Sequence, residues 1–233
     1  MSQISVKQLH QKRMKLWEAS ISNHKKYIDN STGLFKETYV TYRDCPVCDK
    51  NNHVHLFHKE GGTYVKCLNC SMVYINPALT DNALEEYYTR NHSVQAQIVE
   101  NGDDSFYEDL YNEGLNSIEN YTPTGLILDV GCSSGFFLDL AQKRGWQTFG
   151  LELNVQEAAM AKKKGHLVYG TPLETIKFDV KFHAITLWDV FEHIKCGFFY
   201  LNFMKSLLVD KSGLIFLQIP SVDALAARIL QEK

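Results

Sequence analysis

The chain has 233 residues, 45% of them hydrophobic and 22% charged, an ordinary globular composition with room for one full domain and a smaller module. Its 24 basic and 27 acidic side chains leave a formal charge of -3, so no general field draws in phosphate backbones and nucleic acid is disfavoured as a partner. No stretch reaches the ~18 uninterrupted apolar residues of a membrane span, and the opening MSQISVKQLHQKRMKLW lacks the apolar core of a signal peptide, so a cytoplasmic protein that meets no membrane is expected.

Residues 1–41 read as an N-terminal helical segment. From Ser5 to Tyr27 apolar residues recur at helical spacing (Leu9, Leu16, Trp17, Ile21), while Lys7, Lys12, Arg13 and Lys15 fill a solvated basic face.

Residues 42–76 carry Cys45-Pro-Val-Cys48 and Cys67-Leu-Asn-Cys70, two Cys-x-x-Cys pairs with eighteen residues between them. Each pair fits a tight turn that offers two thiolates to one ion, and four thiolates leave no coordination position for water. A structural zinc is therefore expected, not a catalytic one. A redox dithiol would need only one pair. The short β runs here, such as GGTYVKC, hold too few apolar residues for a core, which suits a module stapled by metal. Cys196 reads as an ordinary free thiol.

Asn76-Pro77 then breaks the chain, and residues 77–123 read as a helical linker with helices near 81–90 and 103–120. Tyr87, Tyr88, Tyr107 and Tyr111 in it are read as half-buried packing, in preference to an aromatic lid over a ligand.

From Thr124 strands and helices alternate. Strands are expected at 126–130, 147–152, 167–169, 184–188 and 213–218, and helices near 135–143, 155–163, 198–208 and 222–231. Repeated βα units give a Rossmann-like α/β domain over 124–233, a mostly parallel sheet with helices on both faces.

The run LILDVGCSSG puts a buried strand directly before a loop with Gly131 and Gly135, which lets backbone approach a ligand and aims helix N–H groups at it. Ser133 stands where a dinucleotide fingerprint has its middle glycine, which weakens ordinary NAD binding. About twenty residues on, Glu152 ends the next strand, where a carboxylate can accept from ribose hydroxyls. Its alternative role is to cap the following helix.

Together LILDVGCSSGFFLDLAQKRGWQTFGLELN and AITLWDVFEHI resemble the class I S-adenosylmethionine-dependent methyltransferases, over about Thr124 to Val222. The resemblance implies that Asp129, Gly131, Cys132, Ser133, Gly135 and Phe136 lie along the methionine part of S-adenosylmethionine. It also implies that Glu152 with Leu153 holds the ribose, Gly170 to Glu174 (Leu173 and Glu174 included) flank the adenine, and Leu187, Trp188 and Asp189 line the methionine end. His183 departs from the family's usual aspartate. Similar four-cysteine modules precede sugar C-methyltransferase domains, where they help frame the acceptor site, and also occur in some ribosomal RNA methyltransferases. The family sheet ends in an antiparallel hairpin after its fifth strand; only thirteen residues follow Pro220, so the domain is expected to lack the last two strands and to be C-terminally incomplete. The open edge left behind could pair two copies into a homodimer.

Methyl transfer needs an aligned acceptor, a dry site and a group to take the acceptor's proton. WDVFEHI places Glu192 and His193 at the carboxyl edge of the sheet, and relatives that methylate small molecules have an adjacent Glu-His there. His193 is read as general base and Glu192 as the residue that orients it or the acceptor; the plain alternative is a histidine that only packs. His53, His55, His58, His92, His166 and His183 receive no catalytic role. The expected function is methyl transfer to oxygen or carbon of a sugar-like or metabolite acceptor. An RNA methyltransferase whose zinc module grips nucleic acid, and a non-catalytic cofactor-binding remnant, are the competing readings.

Overall fold

The structure, a computed structural model, describes residues 25–90 and 105–221. The helices expected at 5–27 and 222–231 fall outside these residues, except for a single 3-10 turn at Lys25–Tyr27, and His92 is outside them too.

The larger unit is a five-stranded parallel sheet. Its strands are β6 (Leu126–Val130), β7 (Gln147–Leu151), β8 (Leu167–Tyr169), β9 (Ala184–Trp188) and β10 (Leu214–Gln218), in the order β10-β9-β6-β7-β8. The sheet grows one way from β6 through β7 and β8, then resumes on the other side of β6 with β9. That reversal opens a crevice at the carboxyl ends of β6 and β9, where sheets of this kind bind ligands.

Alternation along the strands sends successive residues to opposite faces. Ile127 joins Leu115, Phe137, Leu138 and Ala141 in a core beneath α2 (Ser105–Glu119) and α3 (Phe136–Lys143), and α4 (Val155–Lys163) adds Ala158 and Ala161. On the other face Leu128 and Val130 meet Phe182, Ile185, Met204 and Leu207, the last two from α5 (Gly197–Leu207). Helix α2 lies so close to β9 that a Cβ at Gly114 would run into the Trp188 indole.

The expected elements form with small shifts at their ends. β7 stops at Leu151, because Glu152 turns away to take backbone hydrogen bonds, and α3 starts at Phe136, because Gly135 sits in the left-handed region at φ +82°. His183 has a local packing role, its Nδ1 accepting the Leu126 N–H at 3.1 Å.

Ahead of the large sheet lies a three-stranded antiparallel sheet of β2 (His53–Lys59), β3 (Gly62–Cys67) and β4 (Val73–Ile75). Among the described residues its core is Cys45, Val65, Cys67 and Tyr74, with Cys48 against them. Two-residue strands β1 (Val40–Thr41) and β5 (Ala78–Leu79) pair antiparallel at its base, and α1 (Asp81–Arg90) follows. No helix among the described residues is long and apolar enough to cross a membrane.

Candidate active site and four-cysteine centre

The loop after β6 is built for close approach. Gly131 has φ +78°, and a Cβ there would meet Val190 Cγ2 at 2.5 Å. Ser133 also takes the left-handed region, at φ +48°. Glycine is favoured at such a position; here the serine earns its place through its hydroxyl, which donates to Glu157 Oε2 at 2.6 Å. Glu157 is almost fully buried. Asn154 caps α4 by accepting the N–H groups of Gln156 and Glu157 at 3.0 and 3.1 Å. The Asn-x-x-Glu spacing of a helix start was readable in the sequence and would have singled out Glu157.

Glu152 stands between the two loops. One oxygen accepts from Ser133 N–H at 2.9 Å and the other from Asn154 N–H at 2.7 Å. Each carboxylate oxygen has a second lone pair, so both can still accept from a ribose. Burial, with Glu157 nearby, holds its carboxyl above the usual range. Asp129 is deeper: Thr186 Oγ1 donates to it at 2.7 Å, yet burial pushes its carboxyl up to about 8. Cys132 packs beneath the loop, where a Cβ at Gly150 would meet its sulfur at 2.6 Å.

Of the remaining expected residues, Leu153 and buried Leu173 pack in the core on the α5 side of the sheet, and Phe136 packs against the core on the other side. Glu174 accepts a hydrogen bond from Tyr200 at 2.5 Å. Trp188 ends β9 among Tyr111, Phe137 and Phe216. Among the described residues, its buried Nε1 and the buried Oε1 of Gln218, its register partner on β10, have no hydrogen-bond partner. Two unsatisfied polar atoms at neighbouring strand ends are what a site for a polar ligand looks like before it is filled. Gln218 was not singled out from sequence, since only the β9–β10 pairing brings it beside Trp188.

After β9, Asp189 takes φ +52° and Phe191–His193 form one 3-10 turn. Burial, together with the Asp189 charge, pushes the Glu192 carboxyl up to about 7. Burial lowers His193 from its ordinary value and so favours the neutral imidazole, although half of its side-chain surface is open. Glu192 Oε1 and His193 Nε2 are 4.0 Å apart, too far for a hydrogen bond. The Tyr88 ring of α1 lies against His193.

A cavity of about 390 Å³ between α2 and β10, lined by Ser117, Ile118, Tyr121 and Lys211 among others, lies at the amino end of β10. It is remote from this loop cluster.

The four sulfurs of Cys45, Cys48, Cys67 and Cys70 lie within 4.8 Å of one another, with Cys45–Cys70 at 3.5 Å and Cys48–Cys67 at 3.6 Å. Thiolates at ~2.3 Å from one tetrahedral ion stand about 3.8 Å apart, so the set fits zinc. Both knuckles share one backbone form. Asp49 and Ser71, each just past the second cysteine, have φ +53° and +64°, and each donates its N–H to the carbonyl of the first cysteine at 3.0 Å. Asn69 N–H also donates to Cys67 Sγ at 3.4 Å.

The fold has solved relatives. The plantazolicin methyltransferase BpumL, in complex with a pentazolic analogue and S-adenosylhomocysteine, is 17% identical over 65% of this chain and 62% of its own, with a TM-score of 0.51. The amino pentose methyltransferase CalS10 of Micromonospora echinaspora, with S-adenosylmethionine bound, is 20% identical over 54% of this chain and 56% of its own, with a TM-score of 0.47. The chain thus covers about three fifths of the length of either. No curated protein sequence matches it. The sequence matches the methyltransferase domain family over residues 106–232, more than half its length, and the chain belongs to that family.

Proposed function

We propose that the chain transfers a methyl group from S-adenosylmethionine to oxygen or carbon of a small sugar-like or metabolite acceptor. The carrying observation is the crevice between β6 and β9. It gathers a glycine loop, a ribose-competent Glu152, two unsatisfied polar atoms and the His193 imidazole at one edge of the sheet. That the fold relative BpumL holds S-adenosylhomocysteine agrees with this.

S-adenosylmethionine would supply an electrophilic methyl on a sulfonium. The residues from Asp129 to Phe136 take its methionine part, with Leu187, Trp188 and Asp189 lining the same methionine end. Glu152 with Leu153 takes the ribose, and Leu173 and Glu174 border the adenine. His193, whose neutral form burial favours, takes the proton of an acceptor hydroxyl. Glu192 does not hydrogen-bond to His193 here, so its part is to hold the acceptor. The four cysteines hold a structural zinc in a module over 42–76, joined through a linker over 77–123 to the catalytic domain over 124–233. Clustered thiols able to bind zinc accord with a reducing cytoplasm.

Calorimetric titration with S-adenosylmethionine and S-adenosylhomocysteine tests this reading. Micromolar binding, weakened at least tenfold by Glu152→Ala, is expected. A folded chain that binds neither would overturn it.

A further inference from the structure

We infer that Arg43 is a positioning residue through which the four-cysteine centre holds the turn carrying Glu192 and His193. This rests on the reading of that turn as part of the active site.

The contact joins residues 152 positions apart: Arg43 Nη2 donates to the Lys195 carbonyl at 2.6 Å, in partly buried surroundings. Lys195 lies two residues past His193, and Arg43 two residues before Cys45. On its own side Arg43 is fixed twice. Cys45 belongs to the cysteine cluster, and the Arg43 N–H donates to Asn76 Oδ1 at 3.0 Å. Asn76 is buried, and its own N–H donates to the Thr63 carbonyl of β3, the strand that delivers Cys67.

The turn needs such an anchor. It is a single 3-10 turn with no side-chain cap, closed by His193 N–H to Val190 O at 3.0 Å and Ile194 N–H to Phe191 O at 3.1 Å. Val190, Phe191 and Ile194 pack on the core and the Tyr88 ring on His193, but these contacts fix no backbone carbonyl; the other polar tie, Lys195 Nζ to Asp81 Oδ1 at 2.6 Å, involves a largely exposed aspartate and is weakened by solvent screening. The guanidinium-to-carbonyl bond is charge-assisted and better shielded, so it is the stronger tie. The module has almost no apolar core to keep its shape without metal. Zinc in the centre therefore fixes Arg43, and Arg43 fixes the turn. Among the described residues the hydrogen bonds of Arg43 run to Asn76 and Lys195, away from the loops that would hold the cofactor at Gly131–Gly135 and Glu152–Asn154.

Hydrogen–deuterium exchange on the full zinc-loaded chain, read in peptides covering 189–197, tests the link. Arg43→Ala should speed exchange there at least tenfold, keep one zinc per chain and leave the Kd for S-adenosylhomocysteine within twofold; Arg43→Lys should restore part of the protection. Chelating zinc from the parent should speed the same amides, and chelation should add little more in Arg43→Ala. Unchanged exchange in a folded, zinc-loaded Arg43→Ala chain would overturn the proposal, as would a chelation effect equally large with and without Arg43, or loss of zinc from Arg43→Ala. A parent chain that fails to bind S-adenosylhomocysteine would refute the methyltransferase reading instead, while the exchange data still decide the link.

Discussion

The Tyr88 ring lies 5.6 Å from the His193 imidazole, tilted by 58° to it. The Tyr88 carbonyl also accepts from Asn154 Nδ2 at 3.4 Å, so this one residue of α1 touches both sides of the crevice. The four linker tyrosines thereby part company: Tyr111 is core, Tyr107 packs on that core, Tyr87 packs on the separate cluster of Tyr27, Leu79 and Ala83, and Tyr88 sits at the site. Covering the imidazole disfavours its charged form. Tyr88→Ala should therefore raise the His193 pKa toward 6.5, its ordinary value, while Tyr88→Phe should not. A general base acts when neutral, so the acid limb of the rate profile should move to higher pH with the alanine. NMR titration of the His193 ring checks this without an acceptor, and an unmoved titration would mean that Tyr88 does not shield it.

Asp129 makes the fold pH-dependent. Its carboxyl is pushed from an ordinary 3.8 to about 8, first by burial. Between those values the folded chain keeps a proton that the unfolded chain has released, so stability falls as pH rises through this window. Asp129→Asn removes the dependence. Its gain over the parent should grow from pH 5 to pH 8 by on the order of 4 kcal/mol. Denaturant melts at the two pH values measure it; a constant difference would show that Asp129 does not titrate there.

At Ser133 two effects oppose each other. Alanine keeps the left-handed backbone and deprives buried Glu157 of a donor; glycine also loses the donor but relieves the backbone. Losing one hydrogen bond costs ~0.5–1.5 kcal/mol, and glycine recovers about 1 kcal/mol through its relaxed backbone. Melting temperatures should fall in the order parent, Ser133→Gly, Ser133→Ala, and an alanine variant as stable as the parent would dismiss the Glu157 bond.

The parallel sheet was legible because LILDV, FGL and AITLW are short apolar runs set off by glycines and polar turns, and every residue in them after Leu126 is buried whichever face it takes. The cysteine cluster was legible because both pairs announce their own local geometry. Contacts across the chain were not. Gly114 looks like a weak point in a helix until Trp188 is seen against it, and Arg43 looks like any surface arginine until it meets Lys195. Strands β1 and β5, two residues each, have no period to detect.

The four-cysteine centre should behave as the only strong staple of its module. Cys45→Ser or Cys70→Ser should abolish stoichiometric zinc on elemental analysis and make residues 42–76 susceptible to proteolysis, with the region from 124 onward still protected. Protection of 42–76 in a metal-free chain would show that the small core suffices.

The pairing of Val40 with Leu79 and of Thr41 with Ala78 brings the two ends of the cysteine-bearing segment side by side. Chain leaves and returns at one doorway, so the whole excursion between Thr41 and Ala78 has the connectivity of an insertion. Antiparallel ends this close can be bridged by a two-residue hairpin. The segment can thus be gained, lost or exchanged without rethreading the domain that follows, and what such an event would change first is the footing of Arg43 beneath the turn at His193.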